Sequence, residues 1–343
     1  MSNDESKAEI VPLLQFENVN DFRAEHDRYN EAAQTPELSD EALALKFAGR
    51  HADDLRFVDQ WGKWFYWHEN VWREDTNRIA RDRVRAVCRE VAADIKDKKN
   101  ARRVCSTTTD NAVLTKATAD RLLAATVSQW DADPFLLNTP KGIVDLRTRK
   151  IRKNRPCDHL TKMTAVSPDS LCPIDRWRKF LYRVTGNNDA AFVNYLQRLC
   201  GYLLTGSIDE HQMFFLHGFG ANGKSTFVRT IAGILDTYAV STPIETFTLT
   251  HQDRHPTELA RLFGARLVTS TETEEGRAWA DSRLKQLTGG DTISARFMRQ
   301  DFFDFSPQFK EWPGILYWAI GVLFWNGDDE RQQLEPALDR FVY

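Results

Sequence analysis

Residues 217–226 read HGFGANGKST, and the fold of this chain turns on that stretch. It contains Gly-x-x-x-x-Gly-Lys-Ser, with Gly218, Gly223, Lys224 and Ser225 at the required spacing. Glycine has no Cβ, so a glycine-rich turn can aim successive backbone N–H groups inward at phosphate oxygens. A helix starting at residues 223–224 adds the positive end of its dipole. Lys224 is then expected to reach the β- and γ-phosphates of a nucleotide, and Ser225 to coordinate magnesium. The expected nucleotide-binding residues are Gly218, Gly220, Asn222, Gly223, Lys224, Ser225 and Thr226, with Asn222 shaping the loop by tolerating left-handed backbone. ATP with Mg²⁺ is the expected ligand.

The flanks suit this reading. Upstream, MFFL at 213–216 is a short continuous apolar run, the pattern of a buried parallel strand. Downstream, Phe227, Ile231, Ile234 and Leu235 fall at helical spacing. A second helix is expected over 258–263 and a second strand over 266–271 (RLVTST). That strand runs into Glu272. An ATPase needs one carboxylate for magnesium and one to orient or deprotonate the attacking water. Glu272, Glu274 and Glu275 are the candidates, and Glu272 comes first because it directly follows the apolar run. It is assigned to catalysis with Lys224 and to magnesium with Ser225. An acidic first turn of a helix would give the same letters.

The rest of the chain has a different texture. Ser39 before EALALKF predicts a capped amphipathic helix. WFYW at 64–67 and Val71-Trp72 flank a short polar turn, which predicts a β-hairpin. Residues 78–103 read as helix rich in Arg and Lys. Residues 136–153 alternate after a Pro-Lys-Gly turn and read as short strands. Residues 177–203 read as two helices broken at 185–189.

Composition excludes some classes. Charges balance to a net −3, so nothing in the bulk charge announces nucleic acid, and any such surface is a local patch. The longest apolar stretch, 314–325, is shorter than the roughly 20 residues a bilayer requires and reads as a core helix. The polar, acidic start MSNDESKAEI predicts no signal peptide. Cysteines 88, 105, 157, 172 and 200 form no CxxC pair, so reduced thiols in a cytoplasmic protein are expected. His211, His217, His251 and His255 lack zinc spacing.

Two clusters keep two readings each. Arg147, Arg149, Lys150, Arg152, Lys153 and Arg155 place six positive charges within nine residues. They suit a phosphate-contacting edge, or a charged strand that blunts a sheet edge. The aromatic run 64–67 suits core packing, or a platform for stacking bases.

With these motifs in view, the sequence resembles the phage and plasmid primase–helicase family, whose ATPase belongs to helicase superfamily 3. Three segments carry the likeness: LQRLCGYLLTGSIDEHQMFFLHGFGANGKSTF (196–227), GARLVTSTETEEGRAWADSRLKQLTGGDTISARFM (264–298), and NTPKGIVDLRT (138–148) with HLTKMTAVSP (159–168). The likeness covers roughly residues 55–310, and the LKQLTGGD run makes it specific. The resemblance implies an α/β fold, with an AAA+-like P-loop core preceded by an α+β domain of the poxvirus and phage primase type. It divides the chain into a polar, partly helical extension (1–54), an accessory domain (55–195), an ATPase core (196–310) and a helical C-terminal segment (311–343). It places Glu272 in the Walker B region and Lys285, Gly289, Gly290 and Asp291 in the motif after it. That motif leads into a hairpin over 292–305 that contacts single-stranded DNA, with Lys285, Arg296 and Arg299 as the DNA-binding residues. It also implies a homo-oligomeric ring, a hexamer, acting as an ATP-dependent DNA helicase of phage or plasmid replication.

The sequence departs from the pattern in two places. After Lys310 the family continues into a strand ending in an Asn that senses the γ-phosphate, and later carries an arginine finger; here EWPGILYWAI follows at once. Arg331 and Arg340 do not match the finger. The ATPase core is thus expected to be incomplete, which leaves open an ATP- or DNA-binding remnant without hydrolysis. Residues 1–60 show no Asp-x-Asp pair on an alternating strand and no zinc cluster, so primer synthesis is not expected.

Overall fold

The computed structural model describes residues 35–186, 189–218, 220–248, 262–270, 280, 285 and 311–321. The chain is mixed α/β and separates into two compact units, one holding residues up to 68 with 72–129, the other 69–71 with 130 onward. These packing units and the four segments expected from the sequence divide the chain differently. The segments follow the resemblance, whereas the units follow physical contact.

The first unit packs helices on a small sheet. Helix α1 (Asp40–His51) starts where expected, because Ser39 Oγ accepts from the Ala42 N–H at 3.1 Å. Such a side-chain cap satisfies one of the donors a helix start leaves unpaired. Strands β1 (Leu55–Val58), β2 (Lys63–His68), β3 (Val71–Glu74) and β4 (Ala124–Ala125) order as β3-β2-β1-β4. The β2–β3 turn puts both Glu69 and Asn70 at positive φ (49° and 67°), the twist a tight hairpin favours. Helix α2 (Ile79–Ala93) is capped by Asp75, whose carboxylate accepts from the Ile79 and Ala80 N–H groups at 2.7 and 2.8 Å. Helices α3 (Lys98–Val104) and α4 (Thr107–Ala117) complete the unit. Its core gathers Phe47, Val84, Val87, Val113 and Leu123, all fully buried.

The aromatic run 64–67 is occupied with packing. Trp64 lies 5.2 Å from Phe57 and 6.3 Å from Phe47, Phe65 is buried against Trp61, and Trp67 meets Trp72 edge-on at 5.7 Å.

The second unit carries the glycine-rich loop. It opens with the antiparallel meander β5 (Leu136–Thr139), β6 (Gly142–Asp145) and β7 (Lys150–Arg152). Four helices follow: α5 (Asp175–Val184), α6 (Ala190–Leu204), α7 (Lys224–Leu235) and α8 (Trp312–Ile320). Strands β8 (Ala239–Ser241) and β9 (Leu267–Thr269) pair in parallel, Val240 opposite Val268. One core joins these pieces: Leu137 and Val144 of the meander, Trp177 and Leu181 of α5, Phe227 and Ile231 of α7, Trp312 and Leu316 of α8.

Helix α8, which follows the departure at residue 310, docks closely. A Cβ on Gly233 of α7 would lie 2.4 Å from the Trp312 ring, so the two helices touch through a glycine. The Glu311 carboxylate accepts from the Arg176 and Trp177 N–H groups at 3.2 and 2.9 Å, closing the start of α5. The apolar stretch from 314 therefore begins as the expected core helix.

The strand expected before the loop is absent. The run 213–216 is not a buried strand: it forms no ladder, and Met213, Phe215 and Leu216 are 38%, 51% and 39% exposed. A parallel strand needs paired backbone on its flanks and cover on both faces. Among the described residues, β9 pairs only with β8, and nothing pairs with 213–216.

Candidate functional site: the glycine-rich loop before helix α7

The loop is shaped by backbone that only glycine adopts without strain. Gly218 and Gly223 stand at φ 137° and 91°, and Gly223 is the residue from which α7 springs. A Cβ at Gly218 would come within 2.6 Å of Asn222 Nδ2. The left-handed residue beside Asn222 is Ala221, at φ 61°, which corrects the expectation that Asn222 itself takes that conformation. Asn222 works through its side chain instead. Lys224 Nζ donates to Asn222 Oδ1 at 2.8 Å and to the Gly218 carbonyl at 2.6 Å. The ammonium is thereby tied to both Gly218 and Asn222 of the loop. Ser225 and Thr226 are exposed in that turn, and Gly220 has open space where a Cβ would stand.

This arrangement fits a polyphosphate with a divalent cation. A helix start offers unpaired N–H donors and a partial positive charge. A lysine stands beside it, and an exposed hydroxyl follows one residue later. The expected residues Gly218, Gly220, Asn222, Gly223, Lys224, Ser225 and Thr226 are thus brought together. Glu272, Arg296 and Arg299 lie outside the described residues, as do Glu274, Glu275, Gly289, Gly290 and Asp291; Lys285 is described and exposed.

Sequence reading missed what backs the loop. Gly223 rests against α5: a Cβ there would meet Val184 Cγ1 at 2.5 Å and Phe180 Cε2 at 3.0 Å. Trp177 stacks between Phe180 (5.3 Å) and Phe227 of α7 (5.7 Å), and Trp318 of α8 closes the group edge-on. The apolar positions 177, 180, 181 and 184 follow helical spacing, so the sequence shows that α5 has a buried face. It does not show that this face supports the loop.

The far end of α7 is tied by a buried polar cluster. The Arg266 guanidinium lies 4.4 Å over the Tyr238 ring and donates to the Leu204 and Leu136 carbonyls, the latter at 2.6 Å. Burial lowers the Arg266 pKa, against the pull of Tyr238 and Asp131. Burial also pushes the Tyr238 hydroxyl up to about 12. That hydroxyl accepts from the Asn138 N–H at 3.1 Å. Asp131 is likewise pushed up by burial, although Thr161 donates to it through both N–H and hydroxyl. Arg266 therefore fixes the entry to β9 against β5 and α6.

Half of the basic run 147–155 is engaged by acids. Arg147 pairs with Asp133 at 3.0 Å, Arg152 with Asp158 at 2.7 Å, and Arg155 with Asp158 at 3.6 Å. Among the described residues no His, Cys, Asp or Glu cluster could hold a metal ion, and no helix is long and apolar enough to cross a membrane.

Comparisons with known proteins match two separate stretches of the chain. Residues 44–186 match the family model described as D5 N terminal like. Residues 216–311, which include the whole loop, match a family of unknown function (DUF5906). The chain is also 27% identical over 223 residues to Putative helicase L207/L206 of Acanthamoeba polyphaga mimivirus, a match covering 62% of this chain and 22% of that protein. The chain thus aligns with about a fifth of that relative's length, and the D5-type match falls on the segment expected to precede a helicase core.

Proposed function

We propose that this chain is an ATP-dependent DNA helicase, or a primase-associated ATPase, of phage or plasmid replication. The observation that carries the reading is the hold on Lys224, the first residue of α7: its ammonium bridges Gly218 O and Asn222 Oδ1. The D5-type match and the viral relative, named as a helicase, support the choice of reaction class.

In this reading Gly218, Gly220, Asn222, Gly223 and Thr226 shape and line the phosphate cradle, and Lys224 neutralises charge at the β- and γ-phosphates. Ser225 and Glu272 hold Mg²⁺, and Glu272 positions the attacking water. ATP supplies the phosphoanhydride whose cleavage drives movement. Lys285, Arg296 and Arg299 grip single-stranded DNA, and the working form is a ring of identical subunits, a hexamer. The test is DNA-stimulated ATP turnover of the purified chain beside Lys224→Ala. Turnover that the lysine variant matches would sink the proposal.

A second reading, an ATP- or DNA-binding remnant without hydrolysis, is favoured by residues 213–216. They lead into the loop with exposed apolar side chains and no paired strand. ATP binding without turnover, in the presence of single-stranded DNA, would select it.

A further inference from the structure

The helix that backs the loop has a second face. Arg176, Arg178, Lys179, Tyr182 and Arg183 of α5 are exposed, with Tyr182 at 49%. Tyr182 neighbours Arg178 and Lys179 at helical spacings of four and three, and Arg183 neighbours Lys179 at four. No side chain of the described residues forms an ion pair with Arg178, Lys179 or Arg183. The run 147–155 differs sharply, since Asp133 and Asp158 engage three of its arginines. The patch that stands out in the sequence is thus partly engaged by acids, whereas the described residues offer no acid to the α5 cations.

We propose that the outer face of α5 is a docking surface for single-stranded nucleic acid. Three exposed cations without an acid partner among the described residues complement a phosphate backbone, and each phosphate contact releases condensed counterions. Tyr182 stands among them with its ring available, and an unpaired base offers the face on which such a ring stacks. A duplex hides those faces, so the single strand is the better partner. The choice of nucleic acid over another polyanion rests on the function proposed above; the charged face itself does not. The surface is distinct from Lys285, Arg296 and Arg299. It lies on the helix whose inner side touches Gly223, so bound strand would sit about one helix diameter, roughly 10 Å, from the loop.

The test is fluorescence anisotropy of the full chain with a labelled oligothymidylate of about 16 nucleotides or longer, enough to cover one site. Titrations run between about 50 and 200 mM salt, where phosphate contacts show as a slope. R178E/K179E/R183E should weaken binding at least about tenfold and reduce the salt slope by about 2, three contacts at roughly 0.7 each. Tyr182→Ala should weaken binding about tenfold and leave the slope alone. The control R147E/R152E/R155E removes equal charge at positions that acids already engage and should bind like the wild type. All four positions on α5 are exposed, so thermal unfolding should match the wild type; the alanine triple R178A/K179A/R183A repeats the measurement without charge reversal. Wild-type affinity and slope in both triples would overturn the proposal. So would an equal loss in the control, which would make the effect one of net charge. Displacement of the oligonucleotide by polyglutamate at equal charge would assign the face to an acidic polypeptide instead. Absent ATP turnover with these results intact would count against the proposed function alone.

Discussion

Gly233 of α7 is where the docking of the C-terminal helix can be tested by sign. Alanine in a helix interior is favoured over glycine by about 1 kcal/mol, so Gly233→Ala should stabilise α7 if nothing covers it. Here a methyl group would lie 2.4 Å from both Cζ2 and Cη2 of Trp312. That ring is 1% exposed within the shared core and has no free space to enter. Overpacking of this kind costs about 1–3 kcal/mol, so the helical gain should be cancelled or reversed, to a net loss of up to about 2 kcal/mol. Trp312→Ala alone should cost about 3–5 kcal/mol through lost burial and the cavity left behind. In that background the clash is gone, and Gly233→Ala should now stabilise by about 1 kcal/mol. The lost or reversed gain is the signature, and the coupling of about 1–3 kcal/mol lies within the range seen for residues in contact. Urea midpoints followed by circular dichroism, with a common m-value, read all four proteins. Stabilisation by Gly233→Ala in both backgrounds would refute the packing of α8 on α7.

Other consequences are independent of that contact. Arg266→Lys keeps the charge but loses the fork that reaches Leu204 O and Leu136 O and the stack on Tyr238; it should cost about 2–3 kcal/mol in urea unfolding. Burial raises the Asp133 pKa, but the Arg147 guanidinium and the Phe135 N–H outweigh it and hold the carboxyl below its ordinary 3.8. A depressed folded-state pKa gives stability that is present above 3.8 and lost as pH falls through the lower folded value. Arg147→Ala should flatten that acid limb of Tm against pH and leave Tm changed little at neutral pH, since the pair is half exposed. Thiol titration of the native chain should show Cys105 and Cys157, both exposed, reacting first, and Cys172 more slowly. Cys88, which burial pushes up to about 12, and Cys200, also buried, should react only on unfolding.

Local features were readable in the sequence where one physical rule governs them. Ser39 before an apolar-periodic run gave the start of α1, and the polar turn between aromatic runs gave the β2–β3 hairpin. Gly-x-x-x-x-Gly-Lys-Ser gave the loop and its lysine, and the spacing of Phe227, Ile231 and Ile234 gave the buried face of α7. What depends on distant partners was not readable. The apolar run 213–216 has the letters of a core strand, but a strand exists only beside another, and no sequence window contains its neighbour. Asp133 and Asp158 are ordinary acids in the sequence, and only the fold turns them toward the basic run. The support of Gly223 by Phe180 and Val184 likewise joins residues about forty positions apart.

The central claim is that Lys224 and its loop bind ATP with magnesium. Isothermal titration of Mg·ATP into the wild type and Lys224→Ala, repeated with EDTA, tests it most directly. A charged hydrogen bond of about 1.5–3 kcal/mol predicts saturable binding to the wild type, weakened about 10- to 150-fold in the variant. Ser225 as a magnesium ligand further predicts weaker binding in EDTA. Wild-type protein that gives no saturable heat, or a variant that binds equally well, would contradict the account.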